Sequence, residues 1–138
     1  MLDLHEQSTG TISNILTKYL IEHKIDKDGD IAIDSPIRTY IKVIPEKGVL
    51  RFMSFIHKEA ISSFGDDAKN KFVKFVNSGS YTVKYSLMSN GSIICEYGIV
   101  MSGMADENFI IKCLKNFEKE VLSTKNMSSN QILIKNII

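Results

Sequence analysis

Apolar residues recur along this chain with two periods, and each change of period marks the border of an element. From Thr11 to Lys24, the positions Ile12, Ile15, Leu16, Tyr19, Leu20 and His23 keep the spacing of one helix face, with Ser and Thr upstream as caps. A polar turn, Asp26-Lys27-Asp28-Gly29-Asp30, then leads into Ile31-Ala32-Ile33, a short strand. Ser35-Pro36 blocks a helix, and a second extended run covers Ile37 to Ile44.

Pro45-Glu46-Lys47-Gly48 reads as a four-residue loop that pairs Ile44 with Val49 at the start of a third strand, Val49 to Ile56. This register collects Ile37, Ile41, Val43, Leu50, Phe52 and Ile56 on one face. A second helix runs from Asp66 or Asp67 through Asn77, with Ala68, Phe72, Phe75 and Val76 on its apolar side and Gly79 at its end.

Tyr81, Val83, Tyr85 and Leu87 next alternate with polar residues, and so do Ile93, Cys95, Tyr97, Ile99 and Met101. A two-residue Asn90-Gly91 turn would put the two apolar sets on opposite faces. A three-residue Ser89-Asn90-Gly91 loop with Gly91 left-handed pairs Met88 with Ser92, and brings Leu87 to Ile93, Tyr85 to Cys95 and Val83 to Tyr97. The third helix, from about Ala105 to Leu122, points Phe109, Ile110, Cys113, Leu114, Phe117 and Val121 inward and Lys112, Lys115 and Glu118 outward.

The predicted order is therefore αβββαββα, an α+β fold in which helices pack on an antiparallel sheet. Residues 1–122 form a single domain of a size that buries roughly 65–70% of its unfolded surface without metal or disulfide support. Residues 123–138 form a C-terminal extension, "STKNMSSN" followed by the apolar, β-prone "QILIKNII". An exposed end of that kind aggregates, so it is expected to dock on its own domain or on a neighbouring chain.

Composition narrows the function classes. Seventeen basic and sixteen acidic residues leave a net charge of +1, spread along the chain, so no field gathers nucleic acid or an anionic membrane. No apolar run reaches the length of a bilayer span and no basic, apolar leader opens the chain, so the expected location is the cytoplasm. Cys95 and Cys113 lack CxxC spacing and read as core thiols.

The stretch Phe72 to Val121 resembles the second half of the YbjN family, in which a helix ending at an Asn leads to a two-strand hairpin and a final helix opening on a small-x-x-acidic pattern. The positions that carry the likeness are Asn77, Gly91, Gly103, Asp106 and Glu107. With "DGDIAI" and the two extended runs that follow it, the resemblance spans roughly residues 10 to 122. It implies the fold of type III secretion chaperones, commonly a homodimer, with regulatory or chaperone-like roles and no established enzymatic activity. Secretion chaperones are strongly acidic and this chain is near neutral, which makes a dedicated secretion chaperone for an effector the lesser reading.

The acidic turn invites a calcium loop, but an EF-hand wants glycine at position 6 and Glu at position 12, and counting from Asp26 these are Ile31 and Ile37. A tight turn at Asp28-Gly29, with Asp side chains on local amides, is the preferred reading; a small metal- or ligand-responsive protein is the alternative. His5, His23 and His57 have no zinc spacing, and His23 is expected to end the face of the first helix. Neither a nucleophile elbow nor a phosphate loop is present, so no catalytic residue, metal or cofactor is assigned.

The parity that unites the core face leaves Tyr40, Ile44, Val49, Met53 and Phe55 on the opposite side of the second and third strands, interleaved with Arg38, Lys42 and Arg51. A sheet covered by helices on one side only should be polar on the other. This apolar face is the candidate surface for a protein partner or for a second copy in a homodimer, with cover from the first helix or the C-terminal extension as the alternative.

Overall fold

The computed structural model describes residues 1–130. Its main sheet has six antiparallel strands in the order β2 (Lys24–Ile25), β3 (Ile31–Ile33), β4 (Thr39–Ile44), β5 (Val49–Ile56), β7 (Ile93–Val100) and β6 (Lys84–Leu87). Helices α1 (Thr9–Lys18), α2 (Asp66–Gly79) and α3 (Asn108–Ser129) accompany it. Two short strands, β1 (Leu2–Asp3) and β8 (Met104–Ala105), pair separately. Without the two-residue strands β1, β2 and β8, the order is the predicted αβββαββα.

Both predicted hairpin registers are observed. Ile44 pairs with Val49, Ile41 with Phe52 and Val43 with Leu50, while Gly48 closes the loop in a left-handed conformation at φ 61°. In the second hairpin Leu87 pairs with Ile93 and Tyr85 with Cys95. Met88 N donates to Ser92 O at 2.8 Å, and Gly91 supplies the positive φ of 90° that the three-residue loop requires.

The two hairpins meet where β5 pairs with β7, Phe52 opposite Tyr97 and Ser54 opposite Cys95. The shared inner face is the core. Phe52 is fully buried, stacked on Phe117 of α3 at 5.8 Å and on Tyr97 at 6.0 Å. Burying one such ring contributes about 2–3 kcal/mol. Ile12, Ile15 and Leu16 of α1 belong to the same core as Leu50 and Phe52, so α1 does not cover the outer face.

Four expectations need correction. The first helix ends at Lys18, not Lys24, because Leu20 turns left-handed at φ 59° and stands exposed. His23 lies beyond the helix: its Nε2 meets Ser13 Oγ at 2.6 Å and its Nδ1 meets Ile21 O at 2.9 Å, which ties the following loop back to α1. On α2, Phe75 is 47% exposed, and Lys69 fills the buried position beside Phe72 and Val76, its Nζ donating to Gly91 O at 2.9 Å.

The fourth concerns α3, which starts at Asn108 and continues past Leu122 to Ser129. Its polar last turns are held by burial of Thr124 and Ser128, and Glu118, expected on the solvent side, is 4% exposed. The segment "QILIKNII" lies outside the described residues.

Candidate functional site

The acidic stretch is a hairpin turn. Asp26 Oδ1 accepts from Asp28 N at 2.9 Å and from Asp30 N at 3.0 Å, while Asp26 N donates to Asp30 O and Gly29 takes φ 82°. It joins β2 to β3, not the first helix to the first strand. The two-residue β2 was not anticipated, since Lys24-Ile25 is too short to display alternation.

The outer face of the sheet can be read row by row from the register. One row runs Lys24, Ala32, Tyr40, Met53, Glu96 and Lys84 across β2, β3, β4, β5, β7 and β6. Phe55 and Ile94 are opposite each other in the next row, and Lys42, Arg51 and Gly98 form the row on the other side. Beyond it come Ile44, Val49 and Val100.

This order divides the candidate residues into two groups. Tyr40, Met53 and Phe55 are brought together, with Tyr40 and Phe55 edge to face at 6.1 Å and Phe55 stacked on His57 at 6.2 Å. Ile44 and Val49 lie at the far end beside Val100, about 13 Å along the strand from Met53. All five are half-buried.

The dividing row is charged. Lys42 and Arg51 face each other, an arrangement that repels unless each finds an anion. Arg51 Nε donates to Glu96 Oε2 at 2.8 Å, with Nη2 on the same oxygen, and the charge of Lys42 acts on Asp30. Burial raises the Asp30 carboxyl above its ordinary value; Lys42 opposes that shift, and Asp26 and Asp28 reinforce it.

Tyr40, Met53, Phe55 and Ala32 line a depression of about 660 Å³. Asp26, Asp28 and Asp30 border it on the β2–β3 side, and Arg38 borders it as well. Arg38 is held by Asp34 at 2.6 Å and reaches the Tyr40 hydroxyl at 3.4 Å. The acidic turn and the apolar face, separate features in the sequence, thus share one depression. Ile94 and Val100 also join the outer face and were missed, because nothing local in the sequence announces that β5 pairs with β7.

Nothing in this arrangement resembles a reacting centre. Ser13 lies within α1 and not at a strand-to-helix turn, and the Nδ1 of His23 meets a main-chain carbonyl and not a carboxylate. The Cys95 thiol is pushed up to about 12 by burial, and burial raises Cys113 as well, which disfavours the thiolate at both. Among the described residues no three His, Cys, Asp or Glu side chains converge as a metal site, and no helix is long and apolar enough to cross a membrane.

Comparison of the whole fold with solved structures brings the YbjN protein of E. coli, a proposed transcription regulator, at a TM-score of 0.67 with 12% identity, covering 91% of this chain and 94% of that one. The architecture is YbjN-like. An uncharacterized protein from Methanothermobacter thermautotrophicus follows at 0.64, with 15% identity over 91% of this chain and 99% of that one. A chain of the ExsC–ExsE complex matches at 0.60, with 11% identity over 88% and 92%. No family model and no curated protein sequence matches the chain. The YbjN-like α+β fold expected over roughly residues 10 to 122 is thus the fold observed.

Proposed function

We propose that this protein is a non-catalytic binding module, chaperone-like or regulatory, that acts as a homodimer and holds a partner polypeptide on the outer face of β4 and β5. The observation that carries the reading is the cluster of Tyr40, Met53 and Phe55, half-buried on a sheet face from which the helices turn away. Aromatic and methionine side chains beside arginine are the residue types enriched where proteins meet. Ile44 and Val49 extend the surface beyond the Lys42 and Arg51 row.

A chain of this fold occurs in the ExsC–ExsE complex, which supports a fold that holds a protein partner. Light scattering after size exclusion, with a pull-down from native extract, tests the reading on wild type, Phe55→Asp and Met53→Asp. A folded variant that has lost both the dimer and the partner is the expected result. Variants that match wild type in both measurements overturn it.

A further inference from the structure

The tip of the second hairpin is tied to two other segments of the chain, and each tie comes from a lysine. Lys69 of α2 is only 8% exposed, and its Nζ donates to Gly91 O at 2.9 Å. Lys58, in the segment after β5, donates its main-chain N to Ser92 Oγ at 2.9 Å. Both stand against the same glycine: a Cβ on Gly91 would lie 3.2 Å from Lys69 Nζ and 3.6 Å from Lys58 Cβ. The two lysines line one depression of about 430 Å³, together with Ser62, Ser89 and Asn90.

Lys69 buries a charge that the described residues do not neutralise. An ammonium carries three N–H donors, and among the described residues Gly91 O is the one acceptor of Lys69 Nζ. Neither Lys58 nor Lys69 has an ion pair among these residues, although Glu59 and Asp66 also line the depression. A buried cation without an anion is unfavourable, and a bound anion offsets that cost. Asn90 adds a donor, since its Oδ1 accepts from Ser92 N at 2.9 Å and its Nδ2 remains to donate. The bonds to Gly91 and Ser92 hold these groups in place before a ligand arrives.

The residue types of the lining select the ligand. Lysines serve as point charges for phosphate, whereas a flat carboxylate is best matched by an arginine fork, and no arginine lines the depression among the described residues. No aromatic or aliphatic residue lines it either, so it offers no platform for a base and no groove for an acyl chain. Glu59 and Asp66, both exposed, are acceptors, which suits them to hydroxyl groups carried by the same ligand.

We infer that Lys58 and Lys69 form a binding site for the phosphoryl group of a small phosphorylated polyol, with Glu59 and Asp66 accepting from its hydroxyls. The site shares no residue with the depression at Tyr40, Met53 and Phe55, and so goes beyond the surface proposed for a polypeptide partner.

Isothermal titration calorimetry of the full chain at fixed ionic strength tests this, with glucose 6-phosphate and inorganic phosphate as probes and glucose as the control. Saturable one-to-one binding of glucose 6-phosphate is expected, weaker binding of phosphate, and no binding of glucose. Lys58→Gln, at an exposed position, should weaken the sugar phosphate at least about tenfold. Lys69→Met, which keeps the apolar stem, should abolish binding, with circular dichroism as the check on its fold. Absence of binding to wild type, equal binding of phosphate and sugar phosphate, or affinity unchanged in Lys58→Gln overturns the inference.

Discussion

Asn77, at the end of α2, grips the main chain of Tyr85 from both sides: its Nδ2 donates to Tyr85 O at 2.8 Å and its Oδ1 accepts from Tyr85 N at 2.9 Å. Among the described residues β6 is an edge strand, and a side-chain amide stands where a further strand would pair. Asn77→Ala leaves both groups without their partner, at an expected cost of about 1–3 kcal/mol. The urea midpoint should fall at unchanged slope, and the exposed edge should raise aggregation.

Gly91 holds φ 90° at the tip of the second hairpin, and a Cβ there would stand 3.2 Å from Lys69 Nζ. Gly91→Ala is expected to cost about 1–2 kcal/mol through left-handed strain alone. Gly10→Ala, inside α1 where a Cβ would make ordinary contact with Ser8 Oγ at 3.8 Å, should be neutral or slightly stabilising in the same denaturation assay.

Burial raises the Glu118 carboxyl above its ordinary value of 4.5, with Lys115 opposing, and Oε1 has no hydrogen-bond partner among the described residues. The folded state therefore holds the proton more tightly than the unfolded state. The contribution of this group is fully present below pH 4.5 and is lost as the pH rises through its folded value. Glu118→Gln should remove that decline and make the protein more stable than wild type at neutral pH, as urea melts across a pH series would record.

Tyr85 is 1% exposed, and its hydroxyl reaches both Glu120 Oε2 and Thr124 Oγ1. Burial is the chief cause that drives its ionisation well above the ordinary tyrosine value. Tyr85→Phe should cost about 1–2 kcal/mol in chemical denaturation. In wild type, no Tyr85 phenolate should appear in an alkaline ultraviolet titration before the fold is lost.

Phe55 is only half-buried, on a face outside the core. Phe55→Asp should therefore change stability by no more than about 1 kcal/mol. A core change such as Phe52→Ala, at a fully buried ring, should cost about 3–5 kcal/mol. Parallel thermal melts of the two variants separate a surface role from a structural one.

Strands and loops of sufficient length were readable. Alternation over eight residues and a loop of defined length leave one register that unites Ile41, Leu50 and Phe52, and the same logic selects the Gly91 bulge in the second hairpin. Short and nonlocal features were not. Two residues at β2 display no period, and Leu20 keeps helical spacing although its backbone has already turned left-handed. The last turns of α3 look like a linker because Thr124 and Ser128 are polar by type yet buried by position.

The candidate face was legible by parity and its surroundings were not. Tyr40, Met53 and Phe55 follow from the core register alone, whereas the wall formed by Asp26, Asp28 and Asp30 depends on how the β2–β3 hairpin lies beside them. Ile94 reaches Phe55 only through a pairing between strands almost forty residues apart in sequence.

The Asn77 clasp also bears on selectivity. A protein that accepts a partner along an open strand edge reads mainly repeating main-chain groups, which every polypeptide offers, and so tolerates many sequences. Among the described residues one edge strand has an amide on the main chain of Tyr85 and the other is two residues long. A polypeptide seated on the outer face instead meets rings, a thioether and fixed charges, and must match them side chain by side chain. On the proposed reading, these edges trade breadth of recognition for discrimination.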